Sequence, residues 1–277
     1  MPELPEVETI RRQLDHALAG RRVVDADASW AKTLVGRGAS VEDLRGRAIR
    51  RVRRRGKVLV LDLEGQLALL VHLRMTGQLL LRDDADEVGP QTRCVITLDR
   101  GALVFNDQRK FGRIVVLPGS LVEADPLLAR MGPDALDDPL DASRLARRLS
   151  RHRSLPVKAA LLDQSTIAGI GNIYADEVLC RAGLHPARRC DSLMADDHER
   201  LAEAIGRTLE AALAAGGSTM RDYRDATGSV GSYLDRAVAF GRTGAPCRTC
   251  ATPITKIRVA GRGTHLCPSC QPDTAQP

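Results

Sequence analysis

Two close pairs of cysteines near the C-terminus, Cys247-x2-Cys250 and Cys267-x2-Cys270, are separated by sixteen residues. A C-x2-C turn sets two sulfurs on one edge of a tetrahedron, and two such turns on one hairpin complete a four-thiolate zinc site. Four protein ligands leave no open position, so the expected cofactor is one structural Zn2+ that takes no part in chemistry. His265, between the pairs, is an alternative ligand. Cys94, Cys180 and Cys190 stand isolated. Pairing of this kind in a reducing compartment favours a metal over disulfides.

The other end of the chain offers a nucleophile. Pro2 makes the initiator methionine removable, which would leave a secondary amine with a pKa of about 7.7 to 8.0 and an appreciable neutral fraction at pH 7. Attack by such an amine on a sugar C1′ gives an iminium ion that cannot discharge by losing a proton from nitrogen. That cation acidifies C2′ and promotes loss of the 3′ phosphate. A Met-Pro opening by itself is common and usually carries no chemistry. Glu3 and Glu6 place carboxylates next to the amine, suited to proton transfer or simply to a helix N-terminus. Lys57 could bind phosphate, donate a proton, or be one more surface lysine.

The wider composition is that of a folded, basic protein. Lys and Arg number 41 against 35 Asp and Glu, and hydrophobic residues make up 43%. Eight of the thirteen residues from Arg45 to Lys57 are basic and none is acidic. Such a run suits a polyanion, because each neutralised phosphate releases counterions; an arginine-rich solvated face is the alternative. With aromatics at 3%, a stacking platform for single strands is disfavoured. The apolar runs Val58–Leu63 and Leu67–Leu73 are too short to cross a bilayer. The acidic start lacks the basic and apolar blocks of a secretory signal, so a cytoplasmic protein is expected.

The elements that must carry these residues change character along the chain. Val7, Ile10, Leu14 and Leu18 recur at helical spacing and predict an opening helix. Short β-type runs follow at Val58–Leu63, Leu67–Leu73, Gln78–Leu81, Val95–Leu98, Leu103–Phe105 and Ile114–Leu117, spaced as in a sandwich or barrel. After Met131-Gly132-Pro133 the period becomes helical, ending in a long segment from Met194 to Ala215. Gly216, Gly217, Gly228 and Gly231 then mark a flexible stretch before the cysteines. The expected fold class is α+β multidomain: residues 1–131 as an N-terminal β-sandwich with an opening helix, 132–240 as a helical domain, and 241–277 as a zinc-finger hairpin and short tail.

Several motifs occur together: Pro2-Glu3-Leu4-Pro5-Glu6-Val7-Glu8-Thr9, Gly56-Lys57, His72-Leu73-Arg74-Met75-Thr76-Gly77, Asp107-Gln108-Arg109-Lys110-Phe111-Gly112, Gly169-Ile170-Gly171-Asn172-Ile173-Tyr174-Ala175-Asp176-Glu177, and the four-cysteine finger. In this order, over nearly the whole chain, they resemble bacterial formamidopyrimidine-DNA glycosylases. The resemblance implies a helix-two-turn-helix motif in the helical domain and double-stranded DNA, carrying oxidised bases or abasic sites, bound in a cleft between domains. It implies removal of oxidised purines through a Pro2 Schiff base, then strand cleavage by β,δ-elimination, by a protein expected to be a monomer. Matched position by position, Pro2 is the nucleophile, Glu3 the acid/base carboxylate, Lys57 the proton donor for β-elimination, and Arg262 the finger arginine of the second elimination. Met75, Arg109 and Phe111 match residues that enter the duplex where the damaged base leaves it, although Met75 or Phe111 alone reads equally as core. Lys158 and Asn172 match phosphate contacts beside a helix N-terminus. Arg93 stands where many members have a histidine, and Arg153 where lysine is common; both are expected to touch phosphate.

Two other functions compete. An endonuclease VIII-like enzyme of the same superfamily would share Pro2, Glu3 and the finger but act on oxidised pyrimidines. Leu4, the Met75/Arg109/Phe111 set and the Thr219–Tyr233 segment, which resembles a purine-capping loop, favour the purine enzyme. A non-catalytic zinc-ribbon DNA-binding protein would have no use for a free Pro2.

Overall fold

The computed structural model describes residues 1–85, 88–138 and 140–273. They form two compact units, Met1–Ala129 with Ala215–Ser232, and Arg130–Ala214 with Tyr233–Pro277.

The first unit opens with helix α1 (Leu4–Leu18), whose buried stripe of Val7, Ile10, Leu14 and Leu18 is the one its spacing predicts. Two sheets follow. One is antiparallel with the order β1 (Val23–Asp27), β7 (Thr92–Leu98), β8 (Ala102–Asp107), β6 (Gly77–Arg82). The other runs β2 (Leu34–Gly36), β9 (Arg113–Pro118), β5 (Leu67–His72), β4 (Val58–Leu63), β3 (Ile49–Arg55). Its β2–β9 pair is parallel, and the remaining pairs are antiparallel. One core joins α1 to both sheets through Leu59, Leu61, Leu69, Val71 and Ile114 on one side and Leu79, Ile96, Leu103 and Phe105 on the other. The opposite face of the larger sheet is also buried at Val60, Leu70 and Val115. Burial on both faces explains why β4 and β5 read as continuous apolar runs without alternation.

Strand β3 carries most of the basic run, and the sequence did not announce it as a strand. A register shift between Ile49 and Arg51 breaks the alternation, because a bulge turns one residue out of phase. The run is also less of a positive field than its composition suggests. Arg45 pairs with Asp25, Arg51 and Arg53 with Asp62, Arg53 with Glu123, and Arg54 with Glu8. Local carboxylates therefore neutralise much of it.

Residues 215–232, expected within the helical segment, fold with the sandwich instead. Ser218 donates its backbone N–H (2.6 Å) and hydroxyl (2.9 Å) to Glu6, and Gln13 bonds both Asp225 (2.8 Å) and the Ala226 N–H (2.9 Å). Tyr223 and Ala226 join the core. Glycine periodicity could signal a loop but not which surface receives it.

The second unit contains α2 (Ala142–Leu149), α3 (Val157–Leu162), α4 (Asn172–Ala182) and α5 (Ala195–Ala214), followed by the hairpin β10 (Thr255–Val259) and β11 (Arg262–Leu266). Asp141 caps α2 by accepting the Arg144 N–H at 2.7 Å. Between α3 and α4, Asp163–Gly171 makes successive turns, with Thr166 N–H bonded to the Asp163 carbonyl at 2.9 Å. Gly183, at φ +67, ends α4 in the left-handed conformation that favours glycine.

Phe105 is fully buried between the sheets. Phe105→Ala should lower the unfolding free energy by about 3–5 kcal/mol, read as a fall in the urea midpoint.

Candidate active site and nucleic-acid interface

At the start of the first unit Met1 is exposed, whereas Pro2 and Glu3 are buried. Glu3 is the N-cap of α1. Its carboxylate accepts the Glu6 backbone N–H, and its own N–H donates to Glu6 Oε2 at 2.8 Å. This reciprocal capping box rigidly orients the chain start. Glu6 also receives Ser218, so its carboxylate holds the 215–232 segment to α1.

Lys57 is buried in the turn between β3 and β4. The register pairs Arg55 with Val58, leaving Gly56 and Lys57 as a two-residue connection, with Gly56 at φ +55. His72, opposite Val58 on β5, accepts the Arg74 N–H on Nδ1 at 3.0 Å. Burial, aided by the Arg74 and Lys57 cations, pushes its imidazole down to about 3. His72 is therefore neutral at pH 7, an acceptor beside Lys57 that brings no competing charge.

Met75, Arg109 and Phe111 lie on two loops joined by one buried carboxylate. Asp107 Oδ1 accepts the Thr76 hydroxyl at 2.5 Å and the Arg109 N–H at 3.1 Å, while Oδ2 accepts the Gly112 N–H at 2.7 Å. Arg74, at φ +55, and Gly77, where a Cβ would collide with the Leu73 carbonyl, make the first loop tight. A Cβ on Gly112 would strike the Phe105 ring. On this platform Met75 is 43% and Phe111 49% exposed, so neither is core. The Arg109 guanidinium lies 4.9 Å from the Phe111 ring centroid, and Lys110 Nζ 4.4 Å from that of Trp30. Cation–π contacts of this kind orient loop side chains while leaving them accessible. Arg93 is partly committed, donating to the carbonyls of Asp107 (2.9 Å) and Pro90 (3.0 Å).

In the second unit Asn172 begins α4 and donates to the Gly263 carbonyl at 3.2 Å. Arg153 and Arg262 are exposed. Arg262 follows the turn Ala260-Gly261, both residues at positive φ (+47 and +76) as a two-residue type I′ hairpin requires. Lys158 departs from its expected role. It is fully buried, with Nζ 2.6 Å from Asp176 Oδ1, 2.8 Å from Thr264 Oγ1 and 3.1 Å from the Gly263 carbonyl. Its ammonium clamps the hairpin to α4 and is withdrawn from a phosphate. Asp176 Oδ2 in turn accepts the backbone N–H (2.8 Å) and binds Nδ1 (3.0 Å) of His265. His265 is thus committed to α4 and lies outside the thiol cluster.

The four cysteine sulfurs all lie within 4.8 Å of one another. Tetrahedral zinc with Zn–S bonds of about 2.3 Å needs sulfurs about 3.8 Å apart. Here Cys247 and Cys270 are 3.9 Å apart, and Cys250 is 3.4 Å from both Cys267 and Cys270. The donor set fits zinc.

His72, Asp107, Asp176 and Glu177 lie within the sequence motifs, but nothing in their local spacing marks the roles they take in the fold. Glu177, fully buried, accepts from the Tyr233 hydroxyl and the N–H groups of Val238, Ala239 and Phe240 at 2.8–3.1 Å. An acidic residue inside an otherwise apolar helix stretch was the available signal.

A sandwich with a capped, buried chain start, a helix-two-turn-helix element and a four-thiol hairpin defines the class of helix-two-turn-helix zinc-finger proteins. Comparison with known proteins narrows this. Residues 1–114 match the formamidopyrimidine-DNA glycosylase N-terminal domain, 131–224 its H2TH domain, and 244–272 a zinc finger found in FPG and IleRS. The formamidopyrimidine-DNA glycosylase of Desulfitobacterium hafniense is 42% identical over 273 residues, 98% of this chain and all of that protein. A crystal structure of a Lactococcus lactis FPG mutant with Fapy-dG-containing DNA superposes with a TM-score of 0.90 at 33% identity, covering 98% of this chain and 100% of that one. The MutM (FPG) structure from Thermus thermophilus gives 0.88 at 40% identity, covering 98% of each. The chain belongs to the formamidopyrimidine-DNA glycosylase family. Its finger holds one structural zinc. Among the described residues, no helix is long and apolar enough to cross a membrane.

Two outcomes test this geometry. Because the folded state keeps His72 neutral down to about pH 3 while the unfolded chain protonates it near 6.5, its contribution to stability is complete above pH 6.5 and lost as pH falls. Urea unfolding should show a loss that begins near pH 6.5 and steepens to about 1.4 kcal/mol per pH unit near pH 5, a component absent in His72→Gln. Cys250→Ser should abolish bound zinc and unravel the hairpin, measured by metal content and hydrogen exchange, while the first unit keeps its melting transition.

Proposed function

We propose that this protein is a bifunctional DNA glycosylase and AP lyase of base excision repair, acting on oxidised purines such as 8-oxoguanine and formamidopyrimidines in double-stranded DNA. The observation that carries the reading is the pair of loops fastened by Asp107, which hold Met75, Arg109 and Phe111 out in water. Rigidly presented apolar and cationic side chains suit insertion into a base stack, where they replace the lost stacking and pair with the orphaned base.

Removal of Met1 frees the Pro2 nitrogen, which is otherwise an amide. The amine attacks C1′, the N–C1′ bond forms and the glycosidic bond breaks, with the leaving base taking a proton. Glu3, fixed by its capping box, protonates the sugar ring oxygen and shuttles protons between steps. The resulting iminium draws electrons from C2′; loss of the C2′ proton expels the 3′ phosphate, with Lys57 as proton donor. A second elimination, assisted by Arg262, expels the 5′ phosphate and leaves a one-nucleotide gap. Arg93, Arg153 and Asn172 contact phosphates, the last with the N-terminus of α4. The protein works as a monomer in the bacterial cytoplasm, on nucleoid DNA.

Borohydride trapping on a duplex with 8-oxoguanine opposite cytosine should give a covalent adduct at Pro2, weaker on a matched oxidised-pyrimidine duplex. Pro2→Gly should bind the same DNA and trap little. A stronger pyrimidine adduct would assign the endonuclease VIII-like specificity, and normal cleavage by Pro2→Gly would remove the mechanism.

A further inference from the structure

The proposed reacting groups belong to separate elements. Pro2 and Glu3 open α1, whereas Lys57 sits in the β3–β4 turn. Elimination requires the amine of one and the ammonium of the other to meet the same sugar, so something must register that turn against the helix.

One side chain reaches both. Arg54, with a side chain 0% exposed, directs Nε to Glu8 Oε2 at 3.1 Å and Nη1 to the Gly56 carbonyl at 3.0 Å. That carbonyl belongs to the peptide leading into Lys57. Glu8 lies on α1, five residues beyond the N-cap Glu3. It is a rigid anchor, since Arg11 Nε (3.0 Å), Arg11 Nη2 (3.0 Å) and Arg12 Nε (2.8 Å) converge on the same carboxylate. Burial would raise the Glu8 pKa, but these guanidinium contacts outweigh it and hold the carboxyl below its ordinary range. A buried ion pair is a poor source of net stability, because desolvation offsets the attraction. A planar guanidinium with several fixed donors is, in contrast, well suited to holding two acceptors at a set distance and angle, which a lysine cannot do.

We propose that Arg54, anchored by Glu8, is a positioning residue for strand cleavage: it locks the Gly56–Lys57 turn to the helix that carries the nucleophile. The inference rests on the glycosylase/lyase reading and on Lys57 as its proton donor. Arg54 touches no substrate. Its loss should therefore act through Lys57 and leave the Pro2 addition comparatively intact.

The test is single-turnover kinetics of full-length Arg54→Lys on 8-oxoguanine duplex and on a duplex with a preformed abasic site, with borohydride trapping alongside. The expected result is elimination slowed by about tenfold or more, base excision changed much less, and a trapped-to-nicked ratio that rises. In an Arg54→Lys/Lys57→Ala double variant, elimination should match Lys57→Ala alone, because the two act as one unit. Excision and elimination falling together with the melting temperature, additive losses in the double variant, or unchanged elimination would each overturn the proposal. Should Arg54→Lys not fold, Glu8→Gln, which keeps an acceptor oxygen while removing the charge, is read in the same way. Wild-type protein that forms no adduct at Pro2 would remove the glycosylase reading itself. Wild-type trapping with an unchanged partition in the variants would remove only the role of Arg54.

Discussion

A carboxylate taken out of water must gather donors or give up its charge, and in this protein that requirement decides where the functional loops go. Asp107, Glu6 and Glu8 are each met by at least one donor from a distant part of the chain, so satisfying them ties those parts together. Asp107 collects the Thr76 hydroxyl and the N–H groups of Arg109 and Gly112. Glu6 collects Ser218, and Glu8 collects three arginines. Apolar packing assembles the sandwich, but hydrophobic contact is non-directional. The directional bonds to these acids set the angles at which Met75, Arg109, Phe111 and the chain start are presented.

The second unit applies the same constraint to a hairpin that has little core of its own. Ile254, Cys247 and Cys267 form one small buried cluster in the finger, to which only Val259 and Leu266 add buried apolar residues. Zinc holds its two knuckles, and Asp176 with Lys158 and His265 holds its β11 strand to α4. Glu177, the next residue along α4, secures the segment leading to the finger through three backbone N–H groups. A short helix thus governs the placement of Arg262 from both sides. The buried lysine illustrates the trade: a cation that could have met phosphate directly is used to fix the backbone that presents another cation.

The exposed residues complement this rigidity. Large apolar side chains in water are tolerated where they serve an interface, and Met75 and Phe111 stand on turns whose backbone cannot easily rearrange. Cation–π contacts at Arg109 and Lys110 limit the loop further without covering it. Under the proposed function, loops that enter a duplex gain from being ordered before they bind, because less freedom is then lost on association.

Much of this was legible in the residues alone. The helical spacing of Val7 to Leu18, the apolar runs of β4 and β5, and the cysteine pairs each encode a local structure whose period or spacing is its own evidence. What could not be read was any feature whose partner is distant in sequence. The basic run from Arg45 to Lys57 looked like a phosphate-binding field until Asp25, Asp62, Glu123 and Glu8 were brought against it. The glycine-marked stretch from Gly216 to Gly231 reads as flexible and as part of the helical domain until Glu6 and Gln13 bind it to the sandwich. Lys158 looked like a surface cation until Asp176 and Thr264 enclosed it. Composition and periodicity determine which elements form, since they depend on neighbours within a few residues. Charge state, burial and pairing depend on which residues the fold makes neighbours, and only the tertiary structure decided those.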